Sequence, residues 1–377
     1  LMILIGLKNI LRRPAVSVRT TRIPFDNIVK FGQQTMMNHK LFNVSWILSR
    51  FCNYDCSYCW PYAHSKKVDH RPLDVYKKTM DEIKNQARSN GFDSFHFSFS
   101  GGEPTAYKRF LPLIGHYASD EKSNYQSIHM TTNCSPGIKW WNTWLNATKS
   151  LVRRSITASY HHEFADEQTF GDKLLMLQDA GVYVTINQVM VPELFSELYD
   201  RCKRFNDRGI NVTLKPQSNE SASEIVSGYN EEQVELMKTG FALKTTDGSE
   251  IGQISLMDHK DNMYEIDQAE RFNAFGFNKF KGWNCNAGYQ SCIVREPGGE
   301  IKRAYSCHDE PLGTIDEGFQ LFKNANKCIT PTCVSSADSK IPKSRGLDKL
   351  EAIEKDEIIL EISRKQSKLF KKERTNV

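Results

Sequence analysis

Three thiols fall within eight residues of this chain, in Phe51-Cys-Asn-Tyr-Asp-Cys-Ser-Tyr-Cys-Trp60. Cys52, Cys56 and Cys59 are spaced C-x3-C-x2-C, and no further cysteine follows until Cys134. Four thiolates complete a ferredoxin-type [4Fe–4S] cluster, so three leave one iron without a protein ligand. An open metal position is where substrate chemistry occurs, whereas closed sites are structural or only pass electrons. The loop therefore reads as the centre of an enzyme built around a chelatable iron. Two other readings stay open. A disulfide with a spare thiol needs an oxidising compartment, and zinc takes a close pair with a second, distant group of ligands.

Such a second group exists. Cys285, Cys292, Cys307, Cys328 and Cys333 lie in a stretch that begins Trp283-Asn-Cys-Asn-Ala-Gly288. A hairpin is expected there, Gln290–Arg295 and Ile301–Ser306 about the turn Pro297-Gly-Gly299, followed by Gly313-Thr-Ile315 and a short helix. Four of these thiolates could also build a tetrahedral zinc site. Cys134 and Cys202 stand alone and read as buried packing residues. Elsewhere, Tyr160-His-His-Glu163 carries two histidines suited to hydrogen bonding a substrate or moving protons, or to a solvated loop. Lys215 is a candidate binder of an anionic substrate.

These groups must be positioned by a scaffold, and after residue 40 the sequence alternates strand and helix. The expected strands are Val44–Leu48, Phe95–Phe99, Ser127–Thr131, Ser155–Ser159, Val182–Met190 and Ile210–Leu214. The expected helices are Pro72–Arg88, Tyr107–Tyr117, Lys139–Ala147, Gln168–Ala180 and Ser196–Arg208. Six units with short loops imply a parallel sheet with helices outside, and six are too few for an eight-unit barrel. In such folds function gathers at the carboxyl ends of the strands. The cysteine loop, Gly101-Gly-Glu-Pro104, Thr131-Thr-Asn-Cys134, the histidine pair and Lys215 all fall there.

The expected organisation is an N-terminal extension (1–40), an α/β core (41–217), a less regular connection (218–282) with a helix at Glu231–Lys238 and a polar turn at Thr245–Glu250, a cysteine-rich hairpin module (283–335), and a charged terminal helix (336–377). An apolar stripe through Leu350, Ile353, Ile359 and Ile362 marks that helix at Leu347–Phe370.

With 39% hydrophobic and 25% charged residues the composition is that of an ordinary globular protein. No apolar run approaches the ~20 residues of a membrane span. The opening Leu1–Leu7 run is short, and its cations follow it, the wrong order for a secretory signal. The expectation is a cytoplasmic protein whose ten cysteines serve metal or thiol chemistry rather than a disulfide framework. Residues 1–40 carry seven Lys/Arg against one Asp, and residues 340–377 eleven against seven acids. Such ends can recruit nucleic acid, but solvation is the expectation.

C-x3-C-x-aromatic-C, with Tyr58 before Cys59, resembles the signature of the radical S-adenosylmethionine (AdoMet) family. The resemblance implies an open (β/α)6 partial TIM barrel and a [4Fe–4S] cluster on Cys52, Cys56 and Cys59 whose open iron chelates AdoMet. It also implies reductive cleavage of AdoMet to a 5′-deoxyadenosyl radical that abstracts hydrogen from substrate. Tyr58 would lie near the adenine, Gly101, Gly102, Glu103 and Pro104 would match the motif for the AdoMet amine, and Asn133, Ser159 and Asn187 would contact its ribose and carboxylate. His161, His162 and Lys215 would face substrate.

The later cysteines resemble the Twitch module, the half-sized relative of the SPASM domain, which implies a second [4Fe–4S] cluster on Cys285, Cys307, Cys328 and Cys333. Cys292 would be the spare or a replacement, and the final C-x4-C departs from the usual C-x2-C. The expected function is oxidation or modification of a peptide or carbohydrate-like metabolite, with a reductant such as flavodoxin or ferredoxin. The alternatives are an iron–sulfur electron carrier or assembly protein, and a zinc-stabilised nucleic-acid-binding protein.

Overall fold

The computed structural model describes residues 27–38, 40–60, 65–220, 224–244, 254–266 and 278–346. The Leu1–Leu7 run, the turn at Thr245–Glu250 and the helix at Leu347–Phe370 lie outside the described residues.

After a first strand Ile28–Gln33 (β1) and a short helix Gln34–Asn38 (α1), six strand–helix units follow in order. Leu41–Ile47 (β2), Ser94–Ser100 (β3), Tyr125–Thr132 (β4), Arg153–Ser159 (β5), Tyr183–Met190 (β6) and Asn211–Pro216 (β7) are the strands. Leu73–Ser89 (α2), Phe110–Ala118 (α3), Ile138–Ala147 (α4), Glu167–Asp179 (α5), Phe195–Asp207 (α6) and Glu231–Thr239 (α7) are the helices. β2 to β7 pair parallel in sequential order, the expected (β/α)6 partial barrel.

Period-two patterning explains which face each strand buries. In Ser94-Phe-His-Phe-Ser-Phe-Ser100 the phenylalanines are fully buried, and Phe99 meets Phe110 of α3 edge-on at 5.5 Å. Trp46 of β2 likewise meets Tyr76 of α2 at 5.5 Å. Helix α2 answers with Tyr76, Met80, Ile83 and Ala87, one stripe at helical spacing. Each such side chain, fully buried, contributes about 2 kcal/mol. The opposite face of the sheet is polar. His96 pairs with Ser127 at 2.8 Å, and His129 with Ser155 at 2.9 Å and Thr157 at 3.2 Å. Burial is the main reason that the His129 ring is held down to about 3, with Arg153 and Lys340 adding to it.

The C-terminal region joins the core sheet directly. Ser291–Arg295 (β11) runs parallel to β2 and forms a hairpin with Glu300–Lys302 (β12), shorter than the expected Ile301–Ser306. Where a short helix was expected after Gly313, the chain forms the strand pair Gly313–Thr314 (β13) and Gly318–Phe319 (β14). Gly313 has φ +139, and a Cβ on it would sit 2.2 Å from the Gly318 carbonyl oxygen, so the close pairing requires glycine.

Ile254–Asp258 (β8), Met263–Ile266 (β9), Asn284–Cys285 (β10), Asn326–Lys327 (β15) and Lys343–Ser344 (β16) make a second sheet in the order β15-β10-β16-β1-β8-β9. The supposedly irregular connection thus contains a hairpin, β8–β9. Arg71, which follows the cysteine loop, ties the two regions: it pairs with the buried Glu296 and with Asp316, each at 2.5 Å.

Candidate active site at the strand carboxyl ends

The cysteine loop leaves the end of β2 and is bound to the end of β3 by backbone hydrogen bonds. Gly102 N–H donates to the Ser49 carbonyl and Glu103 N–H to that of Phe51, both at 2.8 Å. A Cβ on Gly101 would meet Ser49 O at 2.3 Å, and one on Gly102 would meet Phe51 O at 2.2 Å. Both glycines therefore let the motif pack on the backbone that launches the cysteine loop. Pro104 is buried and opens the 3-10 turn Pro104–Ala106.

Glu103 is 1% exposed and clamps two strand ends. One carboxylate oxygen accepts from Thr105 N–H (2.9 Å), Thr105 Oγ1 (2.6 Å) and Thr132 Oγ1 (2.7 Å). The other accepts from Asn133 N–H at 2.6 Å. Burial pushes the carboxyl pKa up, and these donors oppose that rise. Asn133 is also engaged: its amide donates to Asn53 Oδ1 and its oxygen accepts from Ser135 N–H, both at 2.9 Å. The Asn133 amide thus holds Asn53, inside the cysteine loop, while its oxygen caps the turn at Ser135.

The segment after β5 closes on the loop from the other side. His161 Nδ1 lies 3.2 Å from Cys56 Sγ and 3.0 Å from Tyr58 Oη. The Tyr58 ring stacks on His162 with centroids 5.2 Å apart. Glu163 accepts from Ser57 N–H at 2.9 Å and from the Ser57 hydroxyl. Tyr54 stacks on Phe164 at 4.8 Å. Burial holds the His161 ring down to about 4, with His162 adding to it. The His162 Nδ1 is buried without a hydrogen-bond partner among the described residues.

Ser159, at the end of β5, is the register partner of Asn187, inside β6, and Lys215 pairs with Val189. A cleft of about 530 Å³ opens between the cysteine loop and the segment after β7. Asp55 through Trp60 line it on one side, and Gln217, Ser218, Asn219, Glu220 and Val226 on the other. Lys215 stands just before this wall and is not part of the lining. Sequence reasoning missed Asn53, the Ser57–Glu163 clamp and the wall of Gln217, Ser218, Asn219, Glu220 and Val226, none of which carries a motif.

All ten cysteines are free thiols. Burial and the neighbouring thiol Cys59 push Cys56 up to about 12, and burial also raises Cys52 and Cys59. Thiols so disfavoured as free anions, close enough to repel one another, form a donor set that a cationic iron cluster would satisfy. In the second group burial likewise raises Cys328 and pushes Cys307 and Cys333 up to about 12. Cys285, Cys307, Cys328 and Cys333 share one buried cluster with Phe31, Phe280 and Trp283. Cys285 acts electrostatically on each of the other three. Cys292 belongs instead to the main core, with burial the cause of its raised pKa. Among the described residues no group of three His, Cys, Asp or Glu side chains is arranged to hold a single metal ion, and no helix is long and apolar enough to cross a membrane.

Fold and site together define an α/β protein with its candidate site at the carboxyl ends of a parallel sheet. Residues 46–214 match the family model described as the Radical SAM superfamily, and the chain carries a radical SAM domain. No curated protein sequence matches the chain. Among solved structures, "Native anSMEcpe with bound AdoMet" is 16% identical at a TM-score of 0.47, covering 74% of this chain and 79% of that one. "Native anSMEcpe with bound AdoMet and Kp18Cys peptide" is 15% identical at 0.47, covering 74% and 78%. "Crystal structure of BtrN in complex with AdoMet and 2-DOIA" is 15% identical at 0.30, covering 53% and 86%. A radical SAM domain implies AdoMet-based radical chemistry at a [4Fe–4S] cluster.

Proposed function

We propose that the chain is a radical SAM enzyme in which Cys52, Cys56 and Cys59 hold the cluster and the 530 Å³ cleft beside them receives AdoMet and substrate. The observation that carries this is the double support of one loop: the three thiols sit between the Gly102/Glu103 backbone contacts and the His161–Glu163 contacts. When bound, the cluster and AdoMet supply a 5′-deoxyadenosyl radical that removes hydrogen from an unactivated carbon.

The protein's own part is placement. Gly101 and Gly102 set the height of the cysteine loop over β3, Glu103 fixes the ends of β3 and β4, and Tyr58 presents an aromatic surface to the cleft. Ser159, Asn187 and Lys215 are the polar groups on the later strands assigned here to AdoMet or substrate. Among the described residues the cleft lining offers hydroxyl, amide and carboxylate groups and no cationic side chain. That chemistry suits a hydrogen-bonding, uncharged or cationic substrate, and supports a peptide or carbohydrate-like metabolite. Cys285, Cys307, Cys328 and Cys333 would hold a second cluster that accepts an electron or orients substrate, with Cys292 outside the ligand set. A flavodoxin or ferredoxin would supply the reducing electron.

The test is anaerobic reconstitution, an iron and sulfide count, then dithionite and AdoMet with detection of 5′-deoxyadenosine. About eight irons with cleavage is expected. Four irons with cleavage removes the second cluster, zinc in place of iron in that group assigns it a structural metal, and no cleavage by cluster-loaded protein refutes the enzyme.

A further inference from the structure

The three cysteines of the loop are not equivalent. Cys52 is approached by the backbone N–H of Tyr54, and Cys59 by that of Trp60. Cys56 instead faces two side chains, the Tyr58 phenol and the His161 imidazole, whose Nδ1 lies 3.2 Å from its sulfur. Tyr58 and His161 are within 3.0 Å of each other, so sulfur, phenol and imidazole form one compact triad.

The triad is held from every side. Tyr58 stacks on His162, His161 lies edge-on to Tyr54 at 5.9 Å, and Glu163 fixes Ser57, the residue between Cys56 and Tyr58. A thiolate ligand only accepts hydrogen bonds, whereas a phenol and an imidazole N–H can both donate.

We infer that Tyr58 and His161 are positioning residues for the cluster, directing two side-chain donors at Cys56 and so raising the reduction potential of the iron site. This rests on the reading of Cys52, Cys56 and Cys59 as cluster ligands, and it moves His161 from the substrate to the ligand loop. Donors to cluster sulfur stabilise the added negative charge of the reduced state, and their removal lowers the potential.

The experiment is a redox titration of the reconstituted protein followed by EPR of the reduced cluster, comparing wild type with Tyr58→Phe, His161→Phe and His161→Gln. Tyr58→Phe removes only the hydroxyl. His161→Phe keeps a ring against Tyr54 without the donor, and His161→Gln restores an N–H. The expected result is unchanged iron content, a more negative midpoint in Tyr58→Phe and His161→Phe, and a midpoint near wild type in His161→Gln. Wild-type midpoints in both phenylalanine variants overturn the inference, as does equal displacement in His161→Phe and His161→Gln. Iron loss from His161→Phe alone, with Tyr58→Phe unshifted, also overturns it, because the role is then structural. A wild-type protein that reconstitutes no cluster refutes the proposed function itself.

Discussion

Glu103 separates a structural role from a ligand role, because its carboxylate already has four donors before any AdoMet arrives. Consider Glu103→Gln, which preserves shape and removes one acceptor. If the amide oxygen keeps the side facing Thr105 and Thr132, the NH2 faces Asn133 N–H where an acceptor stood at 2.6 Å. If the amide flips, Thr105 N–H loses its acceptor instead, since the two hydroxyls can turn but the backbone cannot. Either way one charge-assisted bond is lost and one buried N–H is orphaned, a cost of about 3 kcal/mol.

That energy corresponds to roughly a hundredfold more frequent local opening. Denaturant unfolding of the cluster-free protein reads the total, and hydrogen exchange of the peptides containing Thr105 and Asn133 reads the place. Burial raises the Glu103 pKa while its donors oppose the rise, so the substitution also reports the ionisation state. Glutamine mimics the protonated acid. Unchanged stability and protection in Glu103→Gln would mean that the native carboxyl is neutral, and the clamp argument would fall. A loss of AdoMet binding with wild-type stability would assign Glu103 to the ligand instead.

Gly102→Ala should destabilise the cluster-free protein by about 2–4 kcal/mol and lower its iron uptake, because the Cβ meets Phe51 backbone atoms and two backbone bonds must stretch; wild-type unfolding and iron content would refute the packing role. His129, held down to about 3 in the fold against about 6.5 when unfolded, contributes stability that is complete above about pH 6.5 and is lost as pH falls toward 3. The slope reaches about 1.4 kcal/mol per pH unit; His129→Gln should flatten the decline measured by denaturant unfolding between about pH 7 and about pH 5, and an unaltered slope would refute it. Cys292→Ala should keep the wild-type iron count and Cys307→Ala should lose about four irons, measured by iron and sulfide analysis after reconstitution; equal loss in both would return Cys292 to the ligand set.

The core was legible because its signals are local. Period-two runs such as Ser94–Ser100 and stripes such as Tyr76, Met80, Ile83 and Ala87 state which face is buried without reference to anything distant. The second sheet was not legible, because β1 at residues 28–33 finds its partners at residues 254–258 and 343–344. Short strands with such separations carry no periodicity long enough to register. A glycine pair is equally ambiguous in sequence: Gly101 and Gly102 look the same whether they admit a ligand or another backbone, and only the position of Ser49 and Phe51 decides for packing.

The cysteine spacing told which sulfurs share a loop but not what surrounds each one. His161 is 105 residues from Cys56 in sequence, and the motif allows any residue there. Its approach follows from parallel topology, which brings the loop after β5 back across the sheet to the loop after β2. A parallel barrel with its loops at one end makes such long-range contacts with ligand loops inevitable, while leaving their identity to each sequence. The residues that tune this site are therefore to be sought at the strand ends that face the cysteines, rather than between the cysteines themselves.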